Sequence, residues 1–218
     1  MPSRASAELI DISVALGADT PEWPGDTPFS CGWTLEMSQG ASVNVSTITA
    51  SPHVGTHADA PLHVRHGAAP SDALPLNAFI GPAVVLDVTS AAGAIDRAAL
   101  GAAGLHATPA RLLLKTGRSI ASGPFPATWP ALTAACAAAL AADGLVLFGV
   151  DSPSVDDRES KVLGVHHALF DGGAHILENL DLSRVAAGTY ELIAVPVKLR
   201  GLDAAPVRAV LRLPNAGA

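Results

Sequence analysis

The sequence predicts an α/β domain built on a mixed sheet, and three observations carry that expectation. Strand-like runs outnumber helical ones. One passage, residues 111–150, reads strand–helix–strand. The 17 prolines and 20 glycines are spread along the chain, as many short elements joined by turns require. At 218 residues and 22.0 kDa the chain has the size of one domain, 1–218, able to bury a core without disulfides or a structural metal.

Each element follows from its local pattern. Residues 19–28 carry Pro21, Pro24, Gly25 and Pro28 and read as an irregular loop bearing Trp23. Val43–Thr49 alternates apolar and polar residues, the period of a strand. Ala83–Val88 is a compact apolar run and reads as a buried strand, and Arg111–Lys115 is another short one. Ile95–Gly104 has weak helical character. Trp129–Asp143 reads as a helix that begins near Thr128 or Trp129 and stops before Gly144. Leu145–Val150 follows directly as a strand. Glu191–Leu199 and Val207–Leu213 close the chain as strands, with Pro196 marking an edge or bulge.

Composition excludes several classes of function. Hydrophobic residues make up 49% of the chain, alanine supplying much of that, and charged residues only 15%, far from a disordered composition. The net charge of -7 argues against a nucleic-acid partner and offers no polybasic segment to an anionic membrane. No run reaches the roughly 18 apolar residues of a membrane span, and residues 1–9 lack the apolar run of a leader. Cys31 and Cys136 lie far apart in no metal or redox motif, which fits reduced thiols and a cytoplasmic location, with Cys136 in the core. Phosphate cradles of the GxGxxG or GxxxxGK[ST] type and a GxSxG nucleophile elbow are all absent from the sequence.

The chemistry concentrates in two clusters. His53, His57, His63 and His66 fall within fourteen residues, together with Asp59. Histidine and carboxylate at H-x3-H-x-D spacing are the donor set for zinc or a similar divalent ion. In a straight strand His53 and His57 would stand roughly 13 Å apart at about 3.3 Å per residue, too far for bonds near 2 Å to one ion. The segment must therefore curl, in a helical turn or a tight loop, and Gly55 permits the backbone for it between Pro52 and Pro61. His66, after Arg65, reads as a solvated loop residue. The second cluster is His166-His167 followed by His175 and Glu178. A carboxylate among Ile176, Leu177 and Leu180 is expected to be buried and paired or bound to a metal, and Asp59 and Glu178 together are the kind of carboxylates that bridge two ions.

The run His53-x-Gly55-Thr56-His57-x-Asp59-x-Pro61-x-His63 resembles the signature of the metal-dependent cyclase family of hydrolases, and within it the bacterial kynurenine formamidases (arylformamidases). Five stretches carry the likeness in order through nearly the whole chain. They are Asp11–Ser13, Trp23–Pro28, Ser51–His63, Gly149–Pro153 with Ser160-Lys161 and His166–Ala168, and Asp203–Arg208. The resemblance implies a swivelling β/β/α fold, a homodimer and two zinc ions per chain, with manganese or another divalent ion as the alternative for N/O ligands. It implies that His53, His57 and Asp59 hold the first ion and that Asp59, His166 and Glu178 hold the second, Glu178 being shared. The residues alone leave open whether His166 or His167 is the ligand. It further implies that His63 is the proton donor and acceptor and that Trp23 contacts substrate. The implied reaction is hydrolysis of N-formyl-L-kynurenine to L-kynurenine and formate in tryptophan degradation. At position 179 the chain has Asn, the pattern of the broader hydrolase family, where the formamidases carry Gly.

Two rival readings use the same residues. One is a related amidohydrolase that opens a cyclic amide such as isatin with a single manganese ion. The other is a metal-binding protein without catalysis, which would have no use for a spare acid–base residue such as His63.

Overall fold

The computed structural model describes residues 8–213; residues 1–7, most of the segment read above for a leader, lie outside the described residues. In chain order the strands are β1 (Leu9–Asp11), β2 (Ser30–Leu35), β3 (Val45–Thr49), β4 (His57–Asp59) and β5 (Ile80–Asp87), followed by α1 (Arg97–Ala102) and β6 (Arg111–Lys115). Then come α2 (Ala134–Ala142), β7 (Leu147–Val150), α3 (Gly164–Asp171), β8 (His175–Glu178), β9 (Gly188–Ile193), β10 (Ala204–Pro206) and β11 (Val210–Arg212).

Nine strands form one mixed sheet in the order β1-β11-β9-β5-β6-β7-β8-β4-β10. The centre is parallel, β5 to β6 to β7 to β8, with one α-helix in each crossover. Both flanks are antiparallel. β10 and β11 are consecutive in sequence yet sit near opposite edges, so the sheet curls until its ends are bridged by residues 207–209. Ile12 N–H donates to the Ala209 carbonyl at 3.0 Å, and Val207 N–H to the Thr56 carbonyl at 2.9 Å. The expected mixed α/β fold is observed, few helices against a large curled sheet.

The central strands alternate between two cores, which explains why they read as continuous apolar runs. Leu112, Leu114, Phe148, Val150 and Ile176 pack under α1, α2 and α3 with Leu100, Leu140 and Leu169. Leu113, Leu147 and Leu177 point the other way and meet Ile12, Phe79, Leu192 and Leu211. Full burial of each such side chain contributes about 1.5–3 kcal/mol.

Several boundaries differ from the sequence-based expectation. The helix expected from Trp129 begins at Ala134, because Thr133 is its N-cap and accepts from Cys136 N–H at 3.1 Å. Trp129 is instead a buried loop residue whose Nε1–H donates to the Asp156 carbonyl at 2.8 Å. The far end is as expected, with Gly144 left-handed at φ 96°. The strand expected over Val207–Leu213 is reduced to β11, Val210–Arg212, because residues 207–209 carry the chain from β10 toward the other side of the sheet. The strand expected over Glu191–Leu199 ends at Ile193, and Pro196 makes only an isolated bridge to Val207. Cys136 is buried in α2, as expected, and Cys31 is exposed. Among the described residues no helix is long and apolar enough to cross a membrane.

Candidate metal centre

The curl demanded by the histidine spacing is a tight loop rather than a helical turn. Residues 52–56 bend, Gly55 takes φ 72°, and the chain then enters β4. The left-handed backbone at Gly55 favours glycine, and a Cβ there would also push aside the end of the exposed Leu16 side chain. Within β4, His57 and Asp59 share one face at period two while Ala58 faces the core between them. The loop folds His53 back over that face. His53 Nδ1 lies 3.2 Å from His57 Nε2 and 3.2 Å from Asp59 Oδ1, and His57 Nε2 lies 3.3 Å from Asp59 Oδ1.

The second cluster arrives from the neighbouring strand and helix. Glu178 ends β8 directly opposite His57 in the antiparallel register. His166 sits in the first turn of α3 and is buried. Its Nε2 lies 3.2 Å from Asp59 Oδ2 and 3.4 Å from Glu178 Oε1, while Glu178 Oε2 lies 3.5 Å from His57 Nε2. Each carboxylate thus turns one oxygen toward the His53–His57 side and the other toward His166. His167 faces away, against Arg65, with its Nδ1 3.3 Å from the guanidinium. His66 is exposed, as expected, and His175 packs against Phe79 instead of joining the cluster.

A ring nitrogen remote from this centre is held in place on each of the three histidines. His57 Nδ1 meets the Gly55 carbonyl at 2.9 Å, His53 Nε2 meets Asp203 Oδ2 at 3.0 Å, and His166 Nδ1 meets Asp156 Oδ2 at 2.6 Å. Such outer partners fix the ring orientation and leave the other nitrogen free to ligate. Asp156 is itself fixed by the backbone N–H groups of Val165 and His166. Sequence reasoning missed Asp156 and gave Asp203 no role; neither has ligand spacing to the histidine it holds, and only the fold brings them there.

Burial opposes charge on these rings, but the carboxylates more than reverse it. His57 and His166 are raised to about 10, with Asp59 and Glu178 acting on the first and Asp156 and Asp59 on the second. His53 is raised to about 9 by Asp203 and Asp59. Burial would raise the Asp59 carboxyl, yet the surrounding imidazoles hold it well below its ordinary value.

The donor set fits a divalent cation. Tetrahedral bonds of 2.0–2.1 Å place donors about 3.3 Å apart, close to the separations among His53, His57 and Asp59. Asp59 Oδ1 is buried without a hydrogen-bond partner although two imidazole nitrogens lie near it, the arrangement a cation between them would satisfy.

The centre opens into a cavity of about 570 Å³. His63, in the short turn Pro61–His63, reaches its wall. Its ring centroid is 4.4 Å from that of His53 and 5.7 Å from that of His166, and its Nδ1 is 3.3 Å from Asp203 Oδ2. Trp23 forms another wall, with edge contacts to Phe125 at 5.5 Å and Trp129 at 5.9 Å. Phe125 was not anticipated from sequence. Asn179 follows Glu178 in left-handed backbone at φ 56°, lines the cavity, and keeps its buried Oδ1 without a partner. Asn tolerates that backbone, which is why it stands where a glycine would also serve.

Comparison with known proteins agrees with this geometry. A structure described as a "potential metal-dependent hydrolase with cyclase activity" is 28% identical, with TM-score 0.82 over 96% of this chain and 100% of that one. A structure described as a "predicted metal-dependent hydrolase from Bacillus stearothermophilus" is 28% identical, with TM-score 0.80 over 95% of this chain and 98% of that one. Isatin hydrolase A from Labrenzia aggregata, 21% identical, shares the fold with TM-score 0.81 over 95% and 94%. The Cyclase family model matches residues 10–157, which include His53, His57, Asp59, His63 and Asp156. With two thirds of its length under that model and the fold of the metal-dependent hydrolases throughout, the chain belongs to the cyclase family.

Proposed function

We propose that this chain is an arylformamidase that hydrolyses N-formyl-L-kynurenine to L-kynurenine and formate in the cytoplasm, using two divalent cations, zinc in the first instance. The observation that carries the reading is the pair of carboxylates, Asp59 and Glu178, each offering one oxygen to either side of the centre. His53, His57 and Asp59 Oδ1 would hold one ion, with Glu178 Oε2 beside it. His166, Asp59 Oδ2 and Glu178 Oε1 would hold the other. Divalent cations held there would lower the pKa of bound water toward neutrality and offer a Lewis acid to the formyl carbonyl. The protein's own part is to position the substrate and move the proton. Trp23 and Phe125 give the aryl ring an apolar wall. His63 takes a proton from the attacking water and delivers it to the aryl amine nitrogen as the formyl C–N bond breaks. Asp203 holds the His63 ring in place for that transfer.

A second reading, opening of a cyclic amide such as isatin, is favoured by Asn179 and uses the same centre. Metal analysis combined with assays on N-formyl-L-kynurenine and isatin separates the two. Two equivalents of metal, with chelator-sensitive turnover of the formamide, support the first; one equivalent, with turnover of isatin alone, supports the second.

The proposal includes a homodimer. The β2–β3 hairpin stands apart from the main sheet, and every residue of both strands is exposed. It carries Trp33, Leu35, Val45 and Ile48, with Met37 and Val43 in its connection. A two-stranded ribbon is marginal alone in water, and so contiguous an apolar surface needs cover. A second copy of the chain supplies it.

A further inference from the structure

The cavity holds a second charged feature, away from the metal centre and unused by the reaction chemistry. Arg158 and Lys161 both line it, four positions in a chain of net charge -7 that bring two cations to one wall. Among the described residues neither lies within 4.0 Å of a carboxylate, whereas Arg65, Arg97, Arg208 and Arg212 are all in ion pairs. Arg158 is also held in place. Its guanidinium carbon lies 5.6 Å from the centroid of the Phe125 ring, and its Nη1 donates to the Ala127 carbonyl at 3.4 Å. The cation therefore borders the aromatic wall formed by Phe125 and Trp23. The same cavity is also lined by Asp26, in the turn after Trp23.

We infer that Arg158 and Lys161 form the subsite for an anionic group, the carboxylate of an aryl amide that carries it on an arm extending from the ring. Asp26 is the complementary partner for an ammonium on the same arm. The inference rests on the proposed formamidase reading and names the part of the substrate that reading left unassigned: the amino-acid end. A planar guanidinium recognises carboxylate through paired N–H donors, and the lysine adds a second, adaptable charge. Set on the lining of a cleft, the pair concentrates anions more than the same charges on an open surface would. A neutral cyclic amide has no group for this pair to hold, so the subsite selects between the two chemistries the metal centre serves.

The test compares wild type with Arg158→Gln, Lys161→Gln and the double variant, each checked for normal metal content and thermal midpoint. Two substrates are used, N-formyl-L-kynurenine and uncharged formanilide. The subsite predicts that kcat/KM for the charged substrate falls roughly ten- to hundredfold per substitution, the scale of a lost charged hydrogen bond, with formanilide changed less than about twofold. Equal losses on both substrates, or none on either, overturn it. Binding of L-kynurenine and of neutral 2-aminoacetophenone to the metal-loaded protein, measured by calorimetry, keeps the inference testable if neither substrate turns over. In that outcome the formamidase reading falls while the subsite stands if L-kynurenine binds more tightly than the neutral ketone and loses that advantage in the double variant. Equal affinities in wild type overturn the subsite itself.

Discussion

At the scale of single residues, the proposed ligands are to be told apart from the groups proposed to work beside them. His63 is the sharpest case, since its ring lies tilted against His53 and near His166, within reach of ligation itself. As a proton carrier it predicts that His63→Ala keeps both equivalents of metal while turnover of the arylformamide falls by about 10²-fold or more. A formyl ester with a good leaving group should suffer less. Loss of metal in the variant would make His63 a ligand instead, and unchanged turnover would end the acid–base role. Asp156 makes the converse prediction. It holds His166 Nδ1 at 2.6 Å, so Asp156→Asn should weaken the ion on the His166 side by roughly 10–100-fold, the usual cost of an outer partner, and leave the ion on the His53–His57 side nearly intact. Titration with a metal indicator reads the two affinities separately, and equal weakening of both would show that Asp156 acts on the fold rather than on His166.

At the scale of elements, what was legible in the sequence is what short-range pattern encodes. The His53–Asp59 spacing demanded a curl, and the Gly55 loop provides it; Arg111–Lys115 was legible to the residue because Leu112–Leu114 can only be a doubly buried strand. α3 was not, since its eight residues begin after Leu163 in left-handed backbone and offer no capping side chain to read. The partners Asp156 and Asp203 were out of reach for a different reason. They approach His166 and His53 through a buried turn and through the β10 edge, and no local period connects them. The β2–β3 hairpin was half legible: its alternation marks a strand, but alternation also implies a buried face, and within one chain it has none. In the proposed dimer a second copy supplies that face. Ile48→Asp, at a side chain 69% exposed in the single chain, should therefore shift the protein from dimer to monomer in light scattering while its far-ultraviolet circular dichroism is retained. A monomeric wild type, or a variant still dimeric, would remove the hairpin from the interface.

At the scale of the whole molecule, the centre sits at one end of the sheet, where β8, β4 and β10 are neighbours. The loop before β4, β4 itself, β8 and α3 supply the donors, and Asp203, just before β10, anchors His53 from the sheet edge. Folding therefore assembles three buried carboxylates against three imidazoles, and either protons or cations must neutralise them. The proton case has a definite sign. His53, His57 and His166 are raised from about 6.5 to about 9, 10 and 10 respectively. Their contribution to the metal-free protein is complete below pH 6.5 or so and is lost as pH climbs through about 9 to 10. Metal binding runs the other way, because the ligands must shed those protons first. Chelator-treated protein should accordingly lose thermal stability from pH 6.5 toward 10, while protein saturated with zinc holds its midpoint or gains. The gap between the two midpoints should widen with pH across that window, and calorimetric titration in buffers of different ionisation enthalpy should register protons released as zinc binds near neutral pH. A gap that stays constant, with no proton release, would mean that the imidazoles are already neutral in the metal-free fold and that the carboxylates alone draw the cation in.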